Sequence, residues 1–319
     1  MKVAFLTDPL ATFKTYKDST FAMMREAARR GHVIYAFGQA DIVLESGLVT
    51  ANAARITLTG DADDWYRANT PTAAFLSGFD AVVIRKDPPF DMEYIYTTYL
   101  LELAEKQGAR VFNRPAAIRS HNEKLAIAQF PQYTAPTLVT RDVRRLRAFH
   151  AEHKDMILKP LDGMGGTGIF RIGRDGMNLG AAIEMLTDNG NRTIMAQSFI
   201  PEIASGDKRI LLIGGKVVPH MLARIPQGGE VRGNLAAGGL GVTQPIAPHE
   251  LEIAEALAPV LAQRGLLLVG LDVIGSYLTE INVTSPTCFQ EITQQSGFDV
   301  AAMFVDALEA AVAEPGLAT

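Results

Sequence analysis

Cysteine is almost missing from this 319-residue chain. Cys288 stands alone, so no internal disulfide framework can form, and such usage suits a reducing compartment. A basic surplus is missing too. With 30 Lys and Arg against 35 Asp and Glu, the formal net charge is −5, which leaves no excess of cations for a nucleic-acid backbone. Any anion site must therefore be local. No apolar run approaches the ~18 residues of a membrane span, and "MKVAFLTD" enters strand-like sequence without a long apolar leader. A cytoplasmic protein with no nucleic-acid and no membrane partner is expected. The six histidines form no HxxxH or HxH pair, which argues against zinc. There is no GxSxG, and Cys288 lies beside Pro286 without a nearby histidine, so no covalent nucleophile is indicated.

What is present is a sizeable core, with 48% hydrophobic and 20% charged residues. The length exceeds the ~250 to 300 residues at which single cores stop growing, so two or three packed units are expected. Through residue 120 strands and helices alternate. "KVAFLTD" and "HVIYAF" are strands, and Asp18-Ser19 offer an N-cap to "TFAMMREAARR" before Gly31. "IVLESGLVTANAARITLT" reads as two or three short edge strands, and "DAVVIRK" and "ARVFN" flank the helix "YIYTTYLLELAEKQG". This is an open α/β layer, closed by the boundary at Arg114-Pro115. From residue 121 the pattern turns to helix, strand, helix and then antiparallel strands, with a hairpin at Gly214-Gly215. The helix "PHELEIAEALAPVLAQRG", two further strands and a closing helix from about Val300 follow. The final "AEPGLAT" reads as frayed.

"ILKPLDGMGGTGIFRI" contains a GxGxxG from Gly163 to Gly168. A dinucleotide fingerprint needs a helix after the third glycine, but Ile169 to Ile172 is β-branched and aromatic and runs into Gly173. No Lys-Ser or Lys-Thr follows, so it is no Walker loop either. The glycines join two strands as a flap that lets backbone approach phosphates. Lys159 on the delivering strand and Lys124 in "SHNEKLAIAQF" complete a plausible triphosphate cradle, although Lys124 alone reads as an exposed lysine at a helix start.

Glu280 and Asn282 are two apart on a strand and leave the same face. A three-residue loop, Gly275 to Tyr277, sets Asp272 opposite Glu280; a two-residue loop sets it opposite Thr279 and spoils the site. Two carboxylates and an amide oxygen suit Mg²⁺. Arg224 to Gly241 carries six glycines and no apolar period; such a loop is a linker, a disordered stretch or an active-site lid, and the lid reading is favoured. Arg209 and Arg224 can reach one anionic substrate, and Arg232 can join on closure. "RKDPPFD" presents Arg85 and Asp87 at a sheet's carboxyl edge.

The order Lys124, Lys159, glycine flap, "MAQSFIP", Asp272, Glu280, Asn282 resembles the ATP-grasp fold. "RKDPPFD", "LKPLDGMGGTGIFR", "ARIPQGGEVRGNLAAGG" and "VGLDVIG...LTEINVTSPT" closely resemble the bacterial-type glutathione synthetase family over nearly the whole chain. That resemblance implies an N-terminal α/β domain (1–120), a central ATP-grasp subdomain with the flap (121–200) and a C-terminal subdomain with lid and Mg site (201–319). It implies ATP-dependent ligation of γ-glutamylcysteine to glycine through an acyl phosphate, by a homotetramer. Lys124, Lys159, Gly163, Gly165 and Gly166 would hold ATP phosphates. Gln197, Ser198, Phe199 and Ile200 would meet adenine, with Asp207 nearby. Asp272, Glu280 and Asn282 would hold two Mg²⁺, with Mn²⁺ able to stand in. Arg85, Arg209, Arg224, Asn282, Ser285, Pro286 and Thr287 would bind the dipeptide, and Lys159, Arg209 and Arg224 count as catalytic. The lid would comprise Pro226, Gly228, Gly229, Arg232, Gly233, Gly238 and Gly239. The rivals are another ATP-grasp ligase, such as one for D-alanine or glutamate, and a nucleotide-binding regulatory protein that has lost turnover.

Overall fold

Lys2–Leu6 (β1) is apolar and buried over all but its first residue, as a strand covered on both faces must be. In the computed structural model, which describes residues 1–314, it is central to an eight-stranded sheet. Val33–Phe37 (β2) and Ala81–Ile84 (β7) run parallel to it, and Val111–Phe112 (β8) extends the parallel run. Ile42–Glu45 (β3), Tyr66–Ala68 (β5) and Thr72–Phe75 (β6) pair antiparallel with Leu48–Leu58 (β4), itself antiparallel to β2. The stretch expected to hold two or three short edge strands holds two, β3 and β4, turning at Ser46-Gly47; only β4 is long, and it also carries β5 and β6. Asp18 caps Ser19–Arg29 (α1) by accepting from Phe21 N at 2.8 Å, and Asp91 does the same for Met92–Lys106 (α2). Pro115–Ser120 (α3) leads out of this layer.

The next sheet is four-stranded and antiparallel: Thr137–Thr140 (β9), Met156–Pro160 (β10), Phe170–Ile172 (β11) and Ile194–Ser198 (β12), in the order β11-β10-β12-β9. Its apolar face is covered by Val143–His153 (α4) and Leu179–Leu186 (α5), with Leu146, Ile183 and Leu158 fully buried between.

The third sheet contains Asp207–Ile213 (β13), Lys216–Val217 (β14), His220–Ile225 (β15), Leu240–Pro245 (β16), Leu268–Ile274 (β17) and Tyr277–Asn282 (β18). Its order is β16-β15-β13-β17-β18, with β14 on β13. The hairpin at Gly214-Gly215 joins β13 to the two-residue β14, and β15 starts anew at His220. Period two explains β13: Ile210 and Leu212 pack with Leu257 and Leu261 of Pro248–Gln263 (α6), while Leu211 and Ile213 pack with Phe289 and Phe304. Those two belong to Phe289–Ser296 (α7) and Val300–Ala313 (α8). The helix α7 was not expected, and of the frayed-tail expectation residues 315–319 lie outside the described residues.

The first and third sheets are sewn together. Asn113, at the end of β8, donates Nδ2 to Leu268 O and Val283 O, both at 2.8 Å, and accepts from Leu268 N at 2.9 Å. Arg30 reaches Asp306 at 2.6 Å, pinning α1 to α8. None of the described helices is long and apolar enough to cross a membrane.

Candidate active site

The flap is a loop between paired strands, as its β-branched exit required. Met156, Ile157 and Leu158 of β10 face Ile172, Arg171 and Phe170 of β11. It overhangs a cleft of about 830 Å³ between the second and third sheets. Lys159 projects from β10 into that cleft, 7% exposed, with Nζ 3.4 Å from Thr279 O. Burial drives its pKa down to about 8, against the pull of Glu280. Lys124 is not the exposed lysine its position suggested. It is 5% exposed, donates to Gly163 O in the flap, and lies 2.9 Å from Glu280 Oε1. Burial alone would lower its pKa, but the Glu280 carboxylate outweighs that and holds it above the ordinary value.

The hairpin β17–β18 corrects the loop expectation and keeps its consequence. Ile274 faces Tyr277 and Val273 faces Leu278, so the loop is the two residues Gly275 and Ser276. The register then jumps, and Asp272 faces Glu280 all the same, because Thr279 is an extra residue in a β-bulge. Thr279 Oγ1 donates to Asp272 O at 3.1 Å, and its carbonyl faces Lys159. Asn282, opposite Gly270, donates Nδ2 to Gly270 O at 3.1 Å and so keeps its Oδ1 free.

Asp272 itself is taken up by cations. Arg209 Nε is 2.6 Å from Oδ1, and Arg224 Nη2 is 2.9 Å from Oδ2; the same Arg224 nitrogen is 2.6 Å from Asp207 Oδ2. All four side chains are buried. Burial pushes the Asp272 carboxyl up, but the two guanidiniums hold it well below the usual range. Asp207, with Oδ1 unpartnered, is raised by burial to about 6. Arg209 and Arg224 therefore face the predicted metal ligand Asp272 rather than an open anion pocket. Gly270 permits this, since a Cβ there would lie 3.0 Å from Arg209 Cδ and 3.2 Å from Pro286 Cβ.

At the far wall, Gln197 donates Nε2 to Thr137 Oγ1 at 2.9 Å. Ser198 N and Phe199 N donate to Pro136 O and Asp155 O, and the buried Ser198 hydroxyl has no hydrogen-bond partner. Phe199 is backed by the Arg171 guanidinium, 3.6 Å from the ring centroid, and Ile200 is buried beside the cleft.

The lid starts and ends inside strands: Arg224 and Ile225 finish β15, Leu240 and Gly241 begin β16, and the loop proper is 226–239, with a tight turn at Gly228-Gly229 and a 3₁₀ turn at Leu235–Ala237. It lies against the flap. Arg232, paired with Glu230, gives Nη1 to Gly166 O at 3.3 Å. Gly166, at φ +84, has no room for a side chain, since a Cβ would lie 2.8 Å from Asn234 Oδ1. Gly163, Gly165, Arg232 and Gly233 line the same cleft, whereas Pro226, Gly228, Gly229, Gly238 and Gly239 do not.

Arg85 stands apart, at the first sheet's carboxyl edge. It is buried, donates Nε to Thr20 Oγ1 at 3.0 Å and Nη2 to Pro286 O at 2.8 Å, and so reaches the Ser285–Thr287 turn. One residue escaped the sequence. Glu123 Oε1 accepts from Val283 N, Thr284 N and Thr284 Oγ1 at 2.9, 3.0 and 2.8 Å, fixing Lys124's backbone to β18. Burial raises its carboxyl pKa. A polar-helix-start pattern gives no sign of such a buried anchor.

The ligand atoms that Asp272, Glu280 and Asn282 can offer a cation are all oxygens, and no group of three His, Cys, Asp or Glu that could hold a metal occurs among the described residues. Two carboxylates and the free Asn282 Oδ1 fit a hard cation that completes its shell with phosphate oxygens and water.

The N-terminal domain of prokaryotic glutathione synthetase matches residues 1–119, and its ATP-grasp domain matches residues 123–297. A glutathione synthetase of Ralstonia nicotianae is 68% identical over 311 residues, which is 98% of this chain and 96% of that protein. Among solved structures, the D-cycloserine synthetase DcsG superposes with a TM-score of 0.68 at 16% identity, covering 98% of this chain and 100% of that one. The ATP-grasp ligase PsnB, complexed with minimal precursor, Mg and ADP, gives 0.62 at 18% over 97% of each chain. At such identities these two show the fold: ATP-grasp, preceded by an N-terminal open α/β domain.

Proposed function

Because the chain belongs to the prokaryotic glutathione synthetase family, we infer how its own residues divide the work of that reaction, the ATP-dependent ligation of γ-glutamylcysteine to glycine through an acyl phosphate, giving glutathione, ADP and phosphate. The observation that carries the reading is the convergence of Lys124, Lys159, Asp272 and Glu280 on one cleft roofed by the flap.

Lys124 and Lys159 neutralise triphosphate charge while backbone N–H groups at Gly163, Gly165 and Gly166 close over it. Gln197 to Ile200 form the adenine wall, with Asp207 at its end. Asp272, Glu280 and Asn282 hold Mg²⁺, two ions with the nucleotide, or Mn²⁺ in its place; bound there, the metal screens phosphate charge. Arg209 and Arg224 share the Asp272 carboxylate, and a cation held there would leave guanidinium donors for the cysteinyl carboxylate. Those arginines then orient that carboxylate for attack on the γ-phosphorus, and positioning with charge neutralisation supplies most of the rate. Glycine's amine attacks the resulting acyl phosphate and expels phosphate. The lid, resting on the flap at Arg232 and Gly166, keeps water from that intermediate. Arg85 and the Ser285, Pro286, Thr287 turn hold the remainder of the dipeptide.

The division proposed is into residues 1–120, 121–200 and 201–319, supported by one sheet in each part. A cytoplasmic homotetramer is the assembly proposed, supported by exposed Val43, Leu44, Leu48 and Phe75 on β3, β4 and β6; sedimentation velocity tests it, and a monomer at micromolar concentration refutes it. The test of the reaction is ADP release with ATP, Mg²⁺, γ-glutamylcysteine and glycine, each omitted in turn, with the product identified by mass. Release that persists without either γ-glutamylcysteine or glycine overturns the reading.

A further inference from the structure

Two buried polar atoms near the Ser285–Cys288 turn have no protein partner: Arg85 Nη1 and Glu291 Oε2. Arg85 is only 4% exposed, so an N–H left without an acceptor there is unfavourable. A ligand anion would satisfy it.

Glu291 lies in the first turn of α7, and that helix is bound closely to the loop before α1. Phe289 N donates to Ser19 Oγ at 3.2 Å, and Gln290 Nε2 donates to Thr15 O and Asp18 O, both at 2.7 Å. Glu291 is thereby held among the charges of Lys17, Arg209 and Asp18, while Asp18 has Arg85 as its charged neighbour. Burial raises both carboxyls above their ordinary values. Asp18 spends one oxygen, Oδ1, on capping α1 and keeps the other. Around the turn, then, stand three cations, Lys17, Arg85 and Arg209, and three acids, Asp18, Asp87 and Glu291. A simple anion would be repelled by half of that set, whereas a zwitterion matches it. A γ-linked glutamyl group presents its α-ammonium and α-carboxylate side by side at the end remote from the reacting carboxylate. An α-linked glutamyl group separates them by two further carbons.

Building on the reading that Arg85 and the Ser285–Thr287 turn hold the dipeptide, we propose that Asp18 and Glu291 bind the α-ammonium of the γ-glutamyl group while Arg85 binds its α-carboxylate. This subsite selects a γ-glutamyl donor over acyl groups lacking the amine.

The experiment compares γ-glutamylcysteine with N-glutarylcysteine, which differs only in lacking that amine, on the full-length enzyme with ATP, Mg²⁺ and glycine. Wild type is expected to favour the amine by about a hundred-fold or more in kcat/KM. In Glu291→Gln, and in Asp18→Asn, which retains the helix cap, KM for γ-glutamylcysteine rises at least about ten-fold while that for N-glutarylcysteine stays put, so the preference shrinks by the same factor. Equal losses for both substrates, or a preference unchanged in both variants, overturn the proposal. Arg85→Met separates the layers. If it raises KM for both substrates while the acid variants keep the wild-type preference, the dipeptide site stands and the ammonium subsite falls. If it leaves both KM values unchanged, the dipeptide does not lie here and both fall.

Discussion

Raising the pH should strip the free enzyme of a charge that ATP needs. Lys159 is buried, its single hydrogen bond runs to Thr279 O at 3.4 Å, and burial holds its pKa at about 8. Of the charged groups around it, Glu280, Asp207 and Asp272 pull that value up and Lys124 pulls it down. A lysine is charged when protonated, so above about pH 8 the empty site holds a neutral amine, and a bound triphosphate must recruit the proton. Affinity for a non-hydrolysable ATP analogue with Mg²⁺ should then fall, reaching about ten-fold, or ~1.4 kcal/mol, one pH unit above that pKa. Titration calorimetry in two buffers of different ionisation enthalpy reads the same event directly. Uptake should be about half a proton near pH 8 and almost a whole one a unit higher. Lys159→Met should bind more weakly at every pH and take up no proton in this window. Wild type binding without proton uptake, or Lys159→Met retaining the wild-type pH dependence, would refute the reasoning.

Glu280→Gln should shift the Mg²⁺ titration of turnover about ten-fold or more toward higher concentration; a curve superimposable on wild type removes Glu280 from the metal site. Gly166→Ala places a Cβ at φ +84 and 2.8 Å from Asn234 Oδ1, so kcat/KM for ATP should drop about ten-fold with little change in Tm, and full activity would mean that lid and flap do not meet during turnover. Asn113→Ala deletes three buried hydrogen bonds between the first and third sheets, for an expected loss of about 3 kcal/mol in chemical denaturation; a loss below about 0.5 kcal/mol would show that the joint is held by apolar packing alone.

The elements most legible in the sequence were those whose signal is local. The β-branched exit of the glycine flap excluded a helix, and Asp18 announced its helix by the capping preference alone. Strands β5 and β6 were missed because they are short and largely exposed, with no apolar alternation to betray them. The helix α7, "FQEITQQS", is polar and follows Cys288 in a left-handed conformation, which no N-cap rule anticipates. The site residues were legible as types, but their partners were not. Asp272 meets Arg209 and Arg224 only through strand pairing far apart in the chain, and Glu123 anchors the end of β18 across a gap of 160 residues. The bulge at Thr279 was invisible for a different reason: an extra residue leaves the composition of a strand unchanged.

That bulge also insulates the reacting pair from the hairpin's tip. A three-residue turn with a regular ladder and a two-residue turn with Thr279 bulged enclose the same number of residues, and both bring Asp272 opposite Glu280. What differs is Leu278, fully buried opposite Val273 in the bulged form and moved one place along in the other. Sequence drift at Gly275 or Ser276 that favours the longer turn would thus be charged to core packing, while the carboxylates stay aligned. A change of turn at the tip of this hairpin is therefore felt at Leu278 in the core and not at the paired carboxylates.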